Sequence, residues 1–147
     1  SDVAAALGIH QLRKLPSFQV KREKFAQLFN QLLTDLPIIL PVDALDGDMH
    51  ARHLYPIRLL PEAKITRDDF IIKMSELGIG CSVHFIPLHL HPYWRDSCQL
   101  SESQFPVAQK IFEQEVTLPL YTRMTELDVK RVAEAVRKVI GNAQACV

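Results

Sequence analysis

The stretch Gly80–Arg95 is divided by Pro87 and Pro92, and these two prolines constrain the local fold more than any other residues. Proline lacks the backbone N–H that helix interiors and central strands use, so this stretch is predicted to be a short strand followed by a loop. It contains six side chains that hydrogen-bond or stack: His84, His89, His91, Tyr93, Trp94 and Arg95. Because binding residues gather on loops held by a rigid scaffold, we expect this segment to bind something.

The size and composition of the chain fit one globular domain spanning residues 1–147. Hydrophobic residues make up 48% of it and charged residues 23%, as in ordinary soluble domains. The 17 basic side chains balance the 17 acidic ones, so there is no net positive charge to attract nucleic acid. No apolar run approaches the roughly 20 residues of a membrane span, and no basic leader of a signal peptide is found. Neither nucleic acid nor a membrane is expected as a partner.

Three cysteines, Cys81, Cys98 and Cys146, are an odd number without CxxC spacing. This pattern argues against a disulfide framework and favours the reducing conditions of the cytoplasm. We therefore expect free thiols and a cytoplasmic location.

The N-terminal residues 1–34 are predicted to be helical. A first helix is expected to end near Leu15, before Pro16, and a second to run from the capping residue Ser17 to about Leu33. This segment is more apolar than a surface helix needs. It is expected either to pack on a partner domain or subunit, giving a homo-oligomer, or to supply an ordinary core face.

Further helices and short extended runs follow, and their order indicates the fold class. Three more helices are predicted: one from Thr66 to Gly78, one over Phe105–Glu115, and Glu126–Ile140 capped by Thr125 and ended by Gly141. Strands are predicted around Ile38–Leu40, over His50–Leu60 with Pro56 placing it at an edge or bulge, over Ile79–Ile86, and over Val116–Leu120. The sequence thus predicts an α+β fold, with helices on one face of a small mixed or antiparallel sheet.

The histidines of Gly80–Arg95 leave three interpretations open. His89 and His91 lie two apart and would point to the same side of an extended segment. With His84 they could supply the three nitrogen ligands of a catalytic zinc site. The alternatives are exposed or hydrogen-bonded imidazoles, and a surface that binds a small molecule or a partner.

Familiar catalytic signatures do not occur in the sequence. There is no GxSxG, GxxxxGK[ST], GxGxxG or HExxH. Cys81 and His84 could form a nucleophile and its base, but no third group that would orient them is identified. No catalytic residue is assigned.

Four patches, in order along nearly the whole chain, resemble a known family: SDVAAALGIHQLRKL, HARHLYPIR, GIGCSVHFIPLHLHPYWR and FPVAQKIFEQEVTLPLYTRMTELDV. The chain resembles the C-terminal part of the DegT/DnrJ/EryC1/StrS sugar aminotransferases, which are pyridoxal-phosphate enzymes of the aspartate-aminotransferase-like type I fold. The resemblance implies the small C-terminal domain of such an enzyme. The family transfers an amino group, usually from glutamate, to a keto group on a nucleotide-linked sugar, in polysaccharide or amino-sugar biosynthesis.

The resemblance also implies what the chain lacks. The family's Schiff-base lysine, and the acid that pairs with the pyridine nitrogen, lie in a large domain upstream of the match. Lys14, Lys21 and Lys24 occupy helix positions and do not replace that lysine. The chain alone is therefore expected to bind no pyridoxal phosphate and no metal, and to be inactive. It departs from the family at Arg52, where an aromatic is usual, and at Thr122, where proline is common.

By this resemblance the substrate-binding residues are His84, Phe85, His89 and His91, and the ligand of the intact enzyme is a nucleotide sugar. His84 matches the family histidine that reaches the sugar-nucleotide side of the active site, and Phe85 matches the aromatic after it. His89 and His91 match loop positions near the same mouth. Two alternatives stay open: a naturally truncated binding or oligomerising module, and a metal hydrolase built on the histidines.

Overall fold

The computed structural model describes residues 1–145. Across that range the α-helices are α1 (Asp2–Leu33), α2 (Arg67–Glu76), α3 (Pro92–Ser97), α4 (Pro106–Gln114) and α5 (Glu126–Ala145). The strands are β1 (Ile38–Ile39), β2 (Tyr55–Leu59) and β3 (Glu115–Leu118), and short 3-10 turns cover Pro61–Ala63, Leu88–Leu90 and Glu102–Gln104. No helix in this range is long and apolar enough to cross a bilayer.

The three strands form an antiparallel sheet in the order β1-β2-β3. Strand β2 alternates between buried and half-buried residues, with Tyr55, Ile57 and Leu59 buried. Alternation of this kind is typical of a sheet with one face on the core. The predicted α+β class, with helices packed against a small sheet, is confirmed.

The core lies where the C-terminal part of α1 and helices α2 and α5 meet the sheet. Phe29 of α1 packs on Tyr55 of β2 with ring centroids 4.8 Å apart. The Tyr55 hydroxyl donates to Asn30 Oδ1 at 2.6 Å, which satisfies the one polar atom of this buried side chain. Burial raises the pKa of Tyr55 above its ordinary value, so the phenol stays a donor.

Helix α1 does not break at Pro16, and the two-helix prediction is wrong. The helix is continuous over Asp2–Leu33 with Pro16 inside it. Proline costs one helical hydrogen bond there, to the Leu12 carbonyl, but its fixed φ is itself helical. Ser17 does not cap a new helix, because its hydroxyl donates to the Lys14 carbonyl at 2.8 Å within the same one.

The strand predicted over His50–Leu60 is only five residues long, Tyr55–Leu59. Arg52, with a φ of 44°, interrupts the extended backbone before it. Pro56 does not put β2 at an edge, since β2 is the central strand. Strand β1 pairs only with the last two residues of β2, so β2 has one neighbour at Pro56 and tolerates the missing donor.

The strand predicted over Ile79–Ile86 is reduced to one isolated bridge between Ser82 and Thr117. The two residues exchange backbone hydrogen bonds of 3.1 and 2.8 Å. The extended backbone ends at Phe85, whose φ is 29°. Most of the predicted strand is therefore loop, and the predicted loop contains the 3-10 turn Leu88–Leu90 and the first residues of α3, which Pro92 begins.

Helix ends followed the sequence in some places and not in others. Thr66 accepts from the Asp69 N–H at 3.2 Å and caps α2, and Gly78 follows the helix with a φ of 72°, both as predicted. Helix α5, however, runs past Gly141 to Ala145. Gln144 there donates to the Glu62 carbonyl at 3.2 Å, and such tertiary contacts offset the roughly 1 kcal/mol cost of a helical glycine. The tail was expected to fray, and Cys146 in it lies outside the described residues.

Candidate functional site

His84 is held against strand β3 by hydrogen bonds from its backbone and its ring. Its backbone N–H donates to Glu115 Oε2 at 3.3 Å, and its Nδ1 lies 2.8 Å from Thr117 Oγ1. Glu115 and Thr117 are both buried. The His84 side chain keeps 30% of its surface exposed, so the ring is anchored through Nδ1 and is still partly open to solvent.

Phe85 presents its ring to solvent from a strained backbone. Its φ of 29° is unfavourable for a bulky residue, and such a conformation costs on the order of 1–3 kcal/mol. The side chain is nevertheless 86% exposed, so no packing of the ring on its own fold repays that cost. The ring meets His84 edge-on, with centroids 5.8 Å apart. Strain of this kind clusters at ligand-binding sites.

Phe85 and His91 line a groove of about 430 Å³, within the size range of small-molecule sites. The other lining residues are Arg67, Val83, Ile86 and Phe112. The Arg67 guanidinium lies 4.7 Å from the centroid of the Phe112 ring and donates to the Phe112 carbonyl at 2.6 Å. The groove thus combines apolar walls with one fixed cation.

The remaining two histidines have different surroundings. His91 is exposed, and its Nε2 lies 3.1 Å from the Ile86 carbonyl. A carbonyl only accepts, so Nε2 is the donor. His89 is 4% exposed, stacks on Phe105 with centroids 5.0 Å apart, and contacts Gln109 Oε1 at 3.1 Å. His89 lies in a 3-10 turn, so the predicted extended geometry, with His89 and His91 on one side, is wrong.

The structure brings together three of the four predicted substrate-binding residues. Phe85 and His91 share the groove, and His84 touches Phe85 beside it. His89 is not among the residues that line the groove and packs beneath the loop instead. Whether each contacts substrate stays a prediction.

Neither the histidine metal site nor the Cys81–His84 pair is formed. Among residues 1–145 no group of three or more His, Cys, Asp or Glu is arranged to hold a metal ion. Burial raises the pKa of the Cys81 thiol to about 11. A nucleophilic cysteine needs the opposite shift, so Cys81 is a structural thiol.

The two residues that hold His84 were not predicted from the sequence. Glu115 and Thr117 lie two apart on a strand, so their side chains share a face. An acidic residue at the start of a buried strand is a signal in itself, because a buried carboxylate needs donors. That signal could have led to a partner, but not to His84, which lies 31 residues away in sequence.

A second concave surface, of about 650 Å³, lies between α1 and the segment that precedes β2. Arg52, whose side chain is 3% exposed, donates from Nε to Glu23 Oε2 at 2.9 Å and also pairs with Asp43. Its hydrogen bond to Glu23 holds the pKa of that carboxyl below its ordinary value. This ion cluster joins α1 to the segment that precedes β2 and contains no predicted site residue.

The fold is that of solved aminotransferases that include a sugar aminotransferase. Spr1654 of Streptococcus pneumoniae, a protein assigned as a sugar aminotransferase and solved in its PMP form, superimposes with a TM-score of 0.86 at 26% identity, covering 97% of this chain and 36% of that one. Streptomyces venezuelae DesV, solved with a ketimine intermediate, gives 0.80 at 30% identity, covering 93% and 35%. The expected likeness to pyridoxal-phosphate aminotransferases is confirmed.

The chain belongs to the DegT/DnrJ/EryC1/StrS aminotransferase family, whose model matches residues 1–137. It is 38% identical over 144 residues to the spore coat polysaccharide biosynthesis protein SpsC of Bacillus subtilis, covering 97% of this chain and 37% of SpsC. It is 35% identical to a dTDP-4-dehydro-2,3,6-trideoxy-D-glucose 4-aminotransferase of Saccharopolyspora spinosa, covering 95% and 34%. The chain spans little more than a third of the length of these relatives.

Proposed function

We propose that this chain is the small C-terminal domain of a pyridoxal-phosphate-dependent nucleotide-sugar aminotransferase and supplies substrate-side residues to it. The observation that carries the proposal is the strained, exposed Phe85 beside the anchored His84, on a fold shared with sugar aminotransferases. The amino transfer itself belongs to groups outside this chain. His84, Phe85 and His91 orient the nucleotide sugar, and His89 supports the loop from beneath.

The residues present do not fit covalent attachment of pyridoxal phosphate. A Schiff-base lysine must be desolvated or placed beside another cation to be reactive. Within residues 1–145 every lysine is exposed. The proposed activity therefore needs a lysine from elsewhere, and the chain alone is proposed to be inactive.

The cofactor proposal is tested by adding equimolar pyridoxal phosphate, reducing with borohydride and mapping the modified lysines by mass spectrometry. The expected result is trace modification spread over the exposed lysines. Stoichiometric modification of one lysine, with an aldimine absorbance band that disappears on reduction, would contradict the proposal.

The substrate-side proposal is tested with dTDP-glucose as the probe in an NMR titration of the chain. Amide shifts are expected to move in residues 82–91, and His84→Gln is expected to weaken the effect. His53→Gln is the matched control, because His53 is exposed and lies in the loop before β2. Shifts confined to other parts of the chain, or unaffected by His84→Gln, would contradict the proposed site.

We also propose that the N-terminal half of α1 is an interface, to a partner domain or a second copy. Its apolar side chains are left open: Leu7 is 63% and Leu12 68% exposed. Light scattering is expected to show concentration-dependent self-association of the chain, reduced in Leu7→Asp/Leu12→Asp. A monomer at all concentrations would contradict an interface with a second copy.

A further inference from the structure

We propose that Glu115 and Thr117 are positioning residues that hold the His84 ring as the Nδ1–H tautomer, leaving Nε2 free to accept a hydrogen bond from a ligand hydroxyl. This inference rests on the proposed substrate-binding role of His84. It goes further by assigning the atom that meets the ligand and the two buried residues that select it.

Glu115, which is 8% exposed, places its carboxyl group between the His84 backbone and Thr117. Its Oε2 accepts the backbone N–H of His84 at 3.3 Å, and its Oε1 accepts the Thr117 hydroxyl at 2.8 Å. Both oxygens therefore act as acceptors, as those of an ionised carboxylate do. Two donors compensate for the burial of this group.

The Thr117 hydroxyl lies between the Glu115 carboxylate and the His84 ring, and it determines which ring nitrogen carries the proton. A hydroxyl has a single proton to donate, and Thr117 gives it to Glu115. Only the lone pairs of Thr117 Oγ1 remain for His84 Nδ1, which lies 2.8 Å away. Nδ1 must therefore carry the proton of that hydrogen bond.

The consequence for binding falls on the other ring nitrogen. In a neutral imidazole with its proton on Nδ1, Nε2 has a lone pair and no hydrogen. The partly exposed ring then accepts from a hydroxyl, the commonest donor on a sugar. A ligand atom that only accepts, such as a carbonyl oxygen, finds no partner at a neutral His84.

The inference is tested by ¹⁵N correlation spectra of the His84 ring at about pH 8, where an ordinary imidazole is neutral. In the unmodified chain we expect Nδ1 to be protonated and Nε2 unprotonated. A ring protonated on Nε2 instead would overturn the inference. No ligand is added, so failure of the proposed substrate-binding function does not affect this reading.

Glu115→Gln is expected to switch the tautomer. The glutamine oxygen must face the His84 N–H, which places the amide NH₂ toward Thr117. Thr117 then accepts from that group and turns its own proton to Nδ1, so the ring proton moves to Nε2. The matched control Glu113→Gln, at an exposed glutamate two residues earlier, is expected to leave the tautomer unchanged. An unchanged tautomer in Glu115→Gln would overturn the proposal that Glu115 sets the His84 tautomer through Thr117.

Two substitutions at Thr117 separate positioning from a merely structural role. Thr117→Ser keeps the hydroxyl and is expected to keep the Nδ1–H tautomer. Thr117→Val removes the Oγ1 acceptor, and the nearest carboxylate atom, Glu115 Oε1, is 3.8 Å from Nδ1, beyond hydrogen-bond distance, so the ring should be released to the Nε2–H form. Thermal unfolding checks that both variants fold. In a dTDP-glucose titration Thr117→Val should bind about tenfold more weakly, as loss of one hydrogen bond implies. Equal tautomers in the serine and valine variants would overturn the proposal.

Discussion

The two ends of helix α1 are parts of one continuous element but have opposite surroundings. Phe25, Ala26, Phe29 and Leu33 near its C-terminal end are between 0% and 5% exposed, whereas residues 1–17 are all exposed. Isolated helices of about 12–15 residues are marginal in water. The first half is therefore stabilised by continuity with the anchored half, while the second half is stabilised by packing. The comparison shows that a regular backbone says little about which part of an element holds the fold together.

Of the substitutions that test this comparison, Phe29→Ala is expected to change the free energy of unfolding most. Phe29 is 0% exposed and packs on Tyr55, so the truncation leaves a cavity and should lower the free energy of unfolding by about 4 kcal/mol. Urea denaturation gives the measurement. Leu12→Ala, in the exposed half, is the matched control and should change the value by less than about 0.5 kcal/mol. Equal effects would show that the exposed half also contributes to the core.

The ion cluster at the boundary between the halves gives a second prediction. Glu23→Gln with Asp43→Asn leaves the buried Arg52 charge without its partners, which should cost about 3 kcal/mol of unfolding free energy. Asp46→Asn with Glu76→Gln removes two exposed acids and is the control. A loss no larger than that of the control would mean that Arg52 is solvated.

The same cluster predicts a pH dependence with a definite sign. The pKa of Glu23 is lower in the folded chain than its ordinary value, chiefly through its hydrogen bond from Arg52. Its contribution is therefore complete above the ordinary glutamate value of about 4.3 and is lost as the pH falls through the lower folded value. Acid unfolding curves should show a smaller loss of stability below about pH 4 in the double variant.

The smallest effect is local: it is the difference in reactivity between a cysteine packed against the core and an exposed one. Cys81 packs against the core and its pKa is raised to about 11, whereas Cys98, after α3, is exposed. Iodoacetamide at about pH 8 should modify Cys81 on the order of a hundredfold more slowly, because only the thiolate reacts. Peptide mass spectrometry measures the two rates, and urea should make them equal. Equal rates in the native chain would place Cys81 in the open region.

Much of the fold could be predicted because the helix caps and strand signals in the sequence agree with the packing of the folded chain. The caps at Thr66 and Thr125 and the short run after Pro37 occur as the sequence indicates. The errors in the helices fall where tertiary contacts override a local breaker. Pro16 and Gly141 both sit inside helices, since packing further along each helix outweighs a lost hydrogen bond or a flexible residue.

The candidate site was predicted in composition but not in geometry. The crowded histidines and the resemblance together pointed to the loop in which Phe85 and His91 line a groove. Periodicity could not reveal the 3-10 turn that buries His89, or the left-handed backbone at Phe85. His89 and His84, the residue before Phe85, contact side chains that are distant in sequence, Gln109 and Thr117.

The continuity of α1 through Pro16 has a mechanical consequence. At a rise of about 1.5 Å per residue, Asp2 lies about 35 Å along the helix axis from Phe25. A tilt of about 5° at the anchored end would swing the far tip by roughly 3 Å if the rod stays straight. A slight repacking around Phe29 would thus be amplified into a displacement of the first turns that is about half the pitch of the helix.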